Sequence, residues 1–539
     1  MPSRRSVLAA LLAGTGSALA GCSFASSDGE SPTPDGETPA DAPLTPTATL
    51  IPAATPTSTA PLTPTGTLTS AATPTSTATL TPTGTPPNTA SPKPTATLSP
   101  VPTTAGSSQT QTASTWDTPT AADGTQIARF SGENSQKYDE FGQSVAADGD
   151  TLLVAAPGDS HQDLEGASGS VYVFDRVDGE WTQRAKLVPE PGALPFDYRF
   201  GTALSVSGDR AVVGALQHVG PHRVPDGGAF VYERAGGEWH RAAVLQSGAD
   251  KEYDGFGRSV ELGGDRILVG APYGDRADGT DTGVAYVYAP ADGRSATDTA
   301  DRSERGRSTP DREPASGEWT QRATLAPPDG GDYDRFGYSV ALDGDTALVG
   351  APDFEAPDGD TIGKAYLFER ADGEWNHRTT LTPTADHDDQ DYFGSSVVLD
   401  GDTALVASWG DDDPNGFYAG SAYAFERIDG RWIMDTKLVA ADGSREDVFG
   451  SSIALDGDTA LVGAEHDDEP NGDNAGSAYL FGFEGGEWDQ QTKLLPDHGD
   501  SPDLFGSSAA VANGRGFVGA IYKGSNGTDK TGAVYVFST

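Results

Sequence analysis

Residues 336–352 read FGYSVALDGDTALVGAP, and after a short acidic loop residues 363–381 continue GKAYLFERADGEWNHRTTL. Four runs follow one another, YSVAL, TALVGA, KAYLF and EWNHRTTL. Each is rich in the β-branched and aromatic residues that suit a pleated, half-buried surface. Asp343-Gly344 separates the first two runs and Asp372-Gly373 the last two. Asp and Gly tolerate the positive φ that a two-residue hairpin turn needs. The second and third runs are joined by something longer, Asp353 to Ile362. The stretch predicts a four-stranded antiparallel meander, with tight turns at one end and a long loop at the other.

The opening Phe-Gly pair recurs at Phe141, Phe200, Phe256, Phe336, Phe393, Phe449 and Phe505, at steps of 59, 56, 80, 57, 56 and 56 residues. The first turn recurs as Asp148-Gly149, Ser207-Gly208, Gly263-Gly264, Asp343-Gly344, Asp400-Gly401, Asp456-Gly457 and Asn513-Gly514. A glycine enters the third run each time, at Gly169, Gly228, Gly283, Gly363, Gly420, Gly476 and Gly532. One such unit cannot bury its own faces, so seven in series predict an all-β, seven-bladed propeller of four-stranded antiparallel blades, with a solenoid as the alternative. The chain ends decide between them. Six units finish with a Trp-bearing strand such as Glu180 to Leu187, whereas the seventh stops at Val536-Phe537-Ser538-Thr539. Thr125-Gln126-Ile127-Ala128-Arg129-Phe130, just before the first unit, aligns with the missing strand. The N-terminal strand is expected to complete the last blade, which closes the ring and leaves no unpaired blade edge.

These motifs resemble the FG-GAP repeat of the N-terminal propeller of integrin alpha subunits, over the whole of Gln126–Thr539. LVGAP stands intact at Leu268–Pro272 and Leu348–Pro352, with LVAAP at Leu153–Pro157; elsewhere it drifts to VVGAL, LVASW, LVGAE and FVGAI. The resemblance implies the propeller and says little about a ligand, because fold does not fix function.

The chain has 539 residues, a formal net charge of −45 and a single Cys. Nine lysines stand against 26 arginines. Acid spread through every repeat resembles proteins of salt-loving archaea: such a surface repels itself at low salt and stays soluble at high salt. It argues against nucleic acid, whose phosphates would be repelled.

Residues 1–22 read as a targeting segment. Ser3-Arg4-Arg5-Ser6-Val7-Leu8 carries a twin arginine, a 14-residue apolar run follows from Val7 to Ala20, and Leu19-Ala20-Gly21-Cys22 resembles a lipoprotein box. The run is too short to span a membrane as a helix. Tat export and lipid anchoring through Cys22 to the outer face of the cytoplasmic membrane are expected. Residues 23–124 are rich in Thr, Pro, Ala and Ser, and TPTSTAPLTPTG from Thr55 recurs as TPTSTATLTPTG 18 residues on. Such a segment lacks the apolar residues for a core and is expected to form a disordered, partly polyproline stalk reaching on the order of 300 Å at full extension. Residues 125–539 form the propeller, with an Arg-containing, disordered surface insertion about 289–316 that accounts for the step of 80.

Strand alternation puts both tight turns of each blade on one face. The long strand 2–3 loops and the acidic blade-to-blade connections share the other, which is the face expected to bind. Asp411-Asp412-Asp413-Pro414-Asn415-Gly416 matches the opening of a calcium loop, and Asp467-Asp468-Glu469-Pro470-Asn471-Gly472-Asp473 is an imperfect second version. Asp411, Asp413, Asn415, Asp467, Glu469, Asn471 and Asp473 are therefore the Ca2+ candidates. Neither loop has an acid at its ninth or twelfth position. Integrin calcium loops sit in the strand 1–2 hairpin, here a bare Asp-Gly turn, so those sites do not carry over. Trp181, Trp239, Trp319, Trp375, Trp432 and Trp488 recur once per blade and are expected to pack between blades. Trp409 replaces the Pro of the GAP element and is the candidate ligand platform. Asn526-Gly527-Thr528 is a glycosylation sequon.

No HExxH, GxSxG, Walker or Rossmann signature is present. The residues therefore point to a monomeric cell-surface module that binds a protein or glycan, with no catalytic residue assigned. An extracellular polysaccharide-acting enzyme, a glycosidase or lyase, and a structural surface component are the alternatives. An acid-lined central channel would favour the enzyme, and a channel closed by apolar first-strand side chains would favour binding.

Overall fold

The computed structural model describes residues 124–132, 136–160, 169–189, 198–217, 227–247, 253–275, 279–291, 319–383, 388–499, 501–524 and 531–539. The targeting segment with Cys22, the Thr/Pro-rich stretch up to residue 123, the insertion from residue 292 and the Asn526 sequon lie outside them. No helix among the described residues is long and apolar enough to cross a membrane.

The described chain is all strand and loop. After β1 (Gln126–Phe130), blade one is β2 (Val145–Asp148), β3 (Thr151–Ala156), β4 (Ser170–Val177) and β5 (Glu180–Leu187). Blade two is β6 (Tyr198–Ser207), β7 (Arg210–Gln217), β8 (Gly228–Ala235) and β9 (Glu238–Leu245). Blade three is β10 (Ser259–Gly263), β11 (Arg266–Ala271), β12 (Val284–Pro290) and β13 (Trp319–Leu325). Blade four is β14 (Ser339–Asp343), β15 (Thr346–Ala351), β16 (Lys364–Ala371) and β17 (Glu374–Leu381). Blade five is β18 (Val397–Asp400), β19 (Thr403–Ser408), β20 (Ser421–Ile428) and β21 (Arg431–Leu438). Blade six is β22 (Phe449–Asp456), β23 (Thr459–Ala464), β24 (Ser477–Glu484) and β25 (Glu487–Leu494). Blade seven holds β26 (Phe505–Val511), β27 (Arg515–Ala520) and β28 (Ala533–Ser538), and its fourth strand is β1.

Closure follows the sequence expectation. β1 pairs antiparallel with β28, Ala128 opposite Val536 and Phe130 opposite Val534. The innermost strands neighbour one another in a full circle, β2 to β6, β10, β14, β18, β22, β26 and back to β2. A line of stacked units would not bring β26 against β2, so the solenoid is ruled out.

The FG and GAP elements meet at the seams between blades. Each Phe of the FG pair is at most 1% exposed. It packs on an aromatic residue of its own blade's third strand, the ring centroids 5.3–5.7 Å apart. Burying such a ring contributes roughly 1.5–3 kcal/mol. Its carbonyl presses on the preceding blade: a Cβ on Gly363 would stand 2.1 Å from Phe393 O, at a φ of +75°. In blade two this seam residue is Gly227, one place before the Gly228 expected from sequence; a Cβ there would meet Phe256 O at 1.8 Å. The glycine inside GAP makes the second close approach, since a Cβ on Gly350 would lie 2.0 Å from Gly394 O. Glycine is required where backbones approach this closely.

The once-per-blade tryptophans pack between blades, as expected. Trp181 of blade one sets its ring edge-on to Phe130 and Phe517 of blade seven, at 6.0 and 5.5 Å. On the hairpin face, the Asp of the tight turn does more than supply turn chemistry. Asp148, Asp343 and Asp400 each accept the backbone N–H of the next blade's turn glycine, from Gly208, Gly401 and Gly457, at 2.6, 2.9 and 2.7 Å.

Candidate functional site

Among the described residues, the strand 2–3 loops of blades three to seven lie against the connection into the next blade. Phe449 N donates to Ala419 O at 2.9 Å, Phe393 N to Ile362 O at 3.0 Å and Phe505 N to Ala475 O at 3.0 Å. These loops and connections therefore share one rim, opposite the tight turns.

On that rim Asp411 does not gather a cation site from its own loop. Its Oδ2 accepts from Ser421 Oγ at 2.6 Å and Tyr423 OH at 2.7 Å, and Lys437 Nζ reaches it from β21 at 2.9 Å. Blade six repeats this: Asp467 Oδ2 takes Ser477 Oγ at 2.6 Å, Tyr479 OH at 2.9 Å and Lys493 Nζ at 2.6 Å. Blade one has the same unit in Asp159, Ser170, Tyr172 and Lys186. Asp413 is 58% exposed in its side chain and 3.6 Å from Lys437 Nζ, and Asn415 Nδ2 donates to Ala440 O at 3.0 Å. Glu469 contributes its backbone N–H to Asp467 Oδ1 at 2.9 Å, the Asn471 amide packs beside Gly499, and Asp473 gives its carbonyl to Ser501. Among the described residues no three His, Cys, Asp or Glu side chains are grouped to hold a metal. A calcium ion at Asp411 or Asp467 would have to displace an ammonium.

Sequence reasoning did not find the lysines. Lys186, Lys364, Lys437, Lys493 and Lys523 are five of the chain's nine, and all five form ion pairs on this rim. Blade seven reverses the polarity, with Lys523 at the Asp411 position paired to Asp503 at 2.8 Å. In blade four Lys364 and Tyr366 both bind Asp329. Burial disfavours the Asp329 charge, but Lys364 and Tyr366 outweigh it and hold the carboxyl below its usual range.

In blades four, five and six a second set of carboxylates, two residues before the FG Phe, is buried with no lysine ion-paired to it. Burial raises Asp391 to about 7, and Asp334 and Asp447 to about 6. Asp391 Oδ2 accepts from Asp388 N at 2.9 Å, while its buried Oδ1 has no hydrogen-bond partner.

Trp409 sits on the rim, partly exposed. Its ring stacks on Tyr392 at 4.5 Å and 14°, and Tyr418 meets it edge-on at 5.5 Å. Phe417 stacks on Tyr418 at 3.9 Å and is 44% exposed.

At the ring axis, 21 residues, three from each innermost strand, are no more than 3% exposed: residues 145–147, 204–206, 260–262, 340–342, 397–399, 453–455 and 509–511. All are apolar except Ser205 and Glu261. Glu261 Oε1 accepts from Ser205 Oγ at 3.1 Å, and burial raises its carboxyl well above the usual range.

Seven segments, 125–174, 181–232, 239–288, 319–368, 375–425, 432–481 and 488–537, match the family described as FG-GAP repeat. Each begins with the outer strand of one blade and runs through the first three strands of the next, so every repeat staples two blades together. No curated protein matches the chain. With seven matched segments that cover well over half of it and fold into seven blades, the chain belongs to the FG-GAP repeat family.

Proposed function

We propose that the chain is a cell-surface binding module, exported by Tat, held to the membrane through lipid on Cys22, and docking a protein or glycan on the loop rim of its propeller. The FG-GAP propeller scaffold fits a binding or docking module. The observation that carries this reading is the burial of the innermost strands. The innermost strands bury their apolar side chains against neighbouring blades and leave the variable chemistry, Trp409 and its neighbours, on the rim loops. Recognition by loops on a rigid scaffold is the common solution for such an architecture. The twin arginine, the apolar run and the Cys22 box support export and anchoring.

The test is a pull-down of surface proteins and polysaccharides by the full chain at high NaCl, beside cell fractionation of Cys22→Ala. Specific capture, with release of Cys22→Ala into the medium, is expected. Turnover of a polysaccharide with no stable capture would move the assignment to the enzymatic alternative, and retention of Cys22→Ala on the membrane would remove the lipid anchor.

A further inference from the structure

The rim loops of blades five and six share one backbone. In both, the N–H two residues after the buried Asp returns to its Oδ1, from Asp413 and Glu469, at 2.9 Å. Gly416 and Gly472 donate to Asp412 O and Asp468 O at 2.7 Å, and Tyr418 and Asn474 donate N–H to Asp412 Oδ1 and Asp468 Oδ1 at 2.7 Å. The side chains above this backbone differ. Where blade five has Tyr392, Trp409, Phe417 and Tyr418, blade six has Val448, Glu465, Asp473 and Asn474. Blade six folds the loop without an aromatic residue at any of these places, so loop architecture does not account for the blade-five set.

The four rings join two different segments. Tyr392 comes from the connection into blade five, and Trp409, Phe417 and Tyr418 from its strand 2–3 loop. The Tyr418 hydroxyl is fixed by Gln390 Oε1, and Gln390 Nε2 lies 3.3 Å from Asp389 Oδ2. The result is a narrow aromatic shelf with amide and carboxylate groups along its edge. Resting on the docking reading above, we propose that this shelf seats a neutral glycan chain. Sugar C–H faces would lie on Phe417, which is 44% exposed with the Arg445 guanidinium 5.6 Å from its ring centroid, and sugar hydroxyls would bond to Gln390 and Asp389. Charge selects against an anionic polymer, because the chain carries −45 and the two nearby guanidiniums are already paired. Arg335 holds Asp353 at 3.1 Å and Arg445 holds Glu446 at 3.3 Å. Size selects against a protein partner at this spot. A stable protein interface buries roughly 800 Å² on each side, and of the four rings only Phe417 is more than a third exposed.

The experiment is isothermal titration of the full chain with neutral hexasaccharides of glucose, mannose, galactose and N-acetylglucosamine, and with oligogalacturonate as the anionic counterpart. The informative variant is F417D/Y418N, which installs the blade-six residues. Binding of at least one neutral sugar is expected, weakened tenfold or more by F417D/Y418N with the melting temperature unchanged. Gln390→Ala, which keeps all four rings but frees the Tyr418 hydroxyl, is expected to weaken it about threefold. Binding unchanged by both variants, binding of oligogalacturonate alone, or no sugar binding at all would each overturn the proposal. In the last case, capture of a surface protein by the same chain leaves the docking reading standing, and capture of nothing removes both.

Discussion

Ser339 Oγ donates to Gly394 O at 2.7 Å across the seam between blades four and five. Ser259, Ser452 and Ser508 make the same bond to Gly337, Gly506 and Gly142, at 3.0, 2.7 and 2.7 Å. Each spans a seam whose GAP element keeps its glycine. In blades one and five that glycine is Ala155 and Ala407, and there the buried hydroxyls of Ser144 and Ser396 have no hydrogen-bond partner. One added methyl holds the neighbouring carbonyl out of reach. Ser339→Ala should therefore cost about 1–2 kcal/mol in denaturant unfolding, because it orphans a buried carbonyl, whereas Ser396→Ala should be neutral or slightly stabilising. Equal losses in the two variants would refute the seam argument.

Gly363 and Gly344 separate the two uses of glycine. Both have positive φ, +75° and +58°, but a Cβ on Gly363 meets Phe393 O at 2.1 Å while one on Gly344 meets nothing within 4 Å. Gly344→Ala should cost on the order of 1 kcal/mol from backbone strain alone. Gly363→Ala should cost several times more, because a blade must move outward to admit the methyl group. Thermal melts of the two variants side by side check this, and similar shifts would show that the seam has slack.

Lys437 and Asp411 form a pair in which the Asp side chain is 2% exposed and the Lys 18%. Removing one partner of such a pair leaves an uncompensated buried charge, at roughly 3–5 kcal/mol. Lys437→Met should be strongly destabilised and Lys437→Met/Asp411→Asn partly restored. Calcium should protect Lys437→Met against heat and leave the unmodified chain unaffected. Calcium uptake at Asp411 with Lys437 present would show that the ammonium yields the site.

The ring was legible from the chain because closure needs only strand pattern, and TQIARF before the first repeat carries the pattern its last blade lacks. The rim was harder. The D-x-D-x-N-G spacing of the Asp411 loop reads as calcium chemistry because local spacing shows which oxygens are near in sequence. It does not show what enters from another strand. The lysine lies 27, 26 and 26 residues beyond Asp159, Asp411 and Asp467, and blades three and four, with Gly274 and Phe354 in the Asp place, have Thr324 and Thr380 in the lysine place. Covariation between the internal repeats would have exposed the pair. The role of Asp148, Asp343 and Asp400 across the hairpin seams left no such trace, since an Asp-Gly turn already explains the residue locally.

The pH dependence of stability follows from two opposed sets of rim carboxylates. Burial lifts Asp391 to about 7 and Asp334 and Asp447 to about 6, against about 3.9 for a free Asp. The folded chain holds protons there that the unfolded chain releases, so their contribution is full below about pH 4 and is lost as pH rises through 6 to 7. Asp329 and Asp442 run the other way. Burial opposes their ionisation, but Lys364 and Lys493 outweigh it, so their contribution is present above the unfolded value and lost on further acidification. At high constant salt the melting temperature should peak near pH 5. Asp391→Asn should raise it by a few degrees at pH 8 and leave it little changed at pH 4, where the carboxyl is largely protonated in both states. An equal effect at both values would mean that Asp391 does not titrate in this range.

Phe130 is the residue on which closure can be tested without deleting a strand. It is 7% exposed, ends β1, and packs on Phe174 at 4.9 Å and Trp181 at 6.0 Å, so it joins the fourth strand of blade seven to blade one. A charge there must either be buried unpaired or pull β1 off β28. Release of β1 would bare the β28 edge, and an open strand edge recruits other chains. Phe130→Asp should lower the melting temperature by ten degrees or more and yield concentration-dependent oligomers on size exclusion. Ile433→Asp, on β21 with its side chain 49% exposed, should do neither. If Phe130→Asp stays monomeric and melts with the unmodified chain, β1 is a dispensable edge and the ring is held by its seams alone.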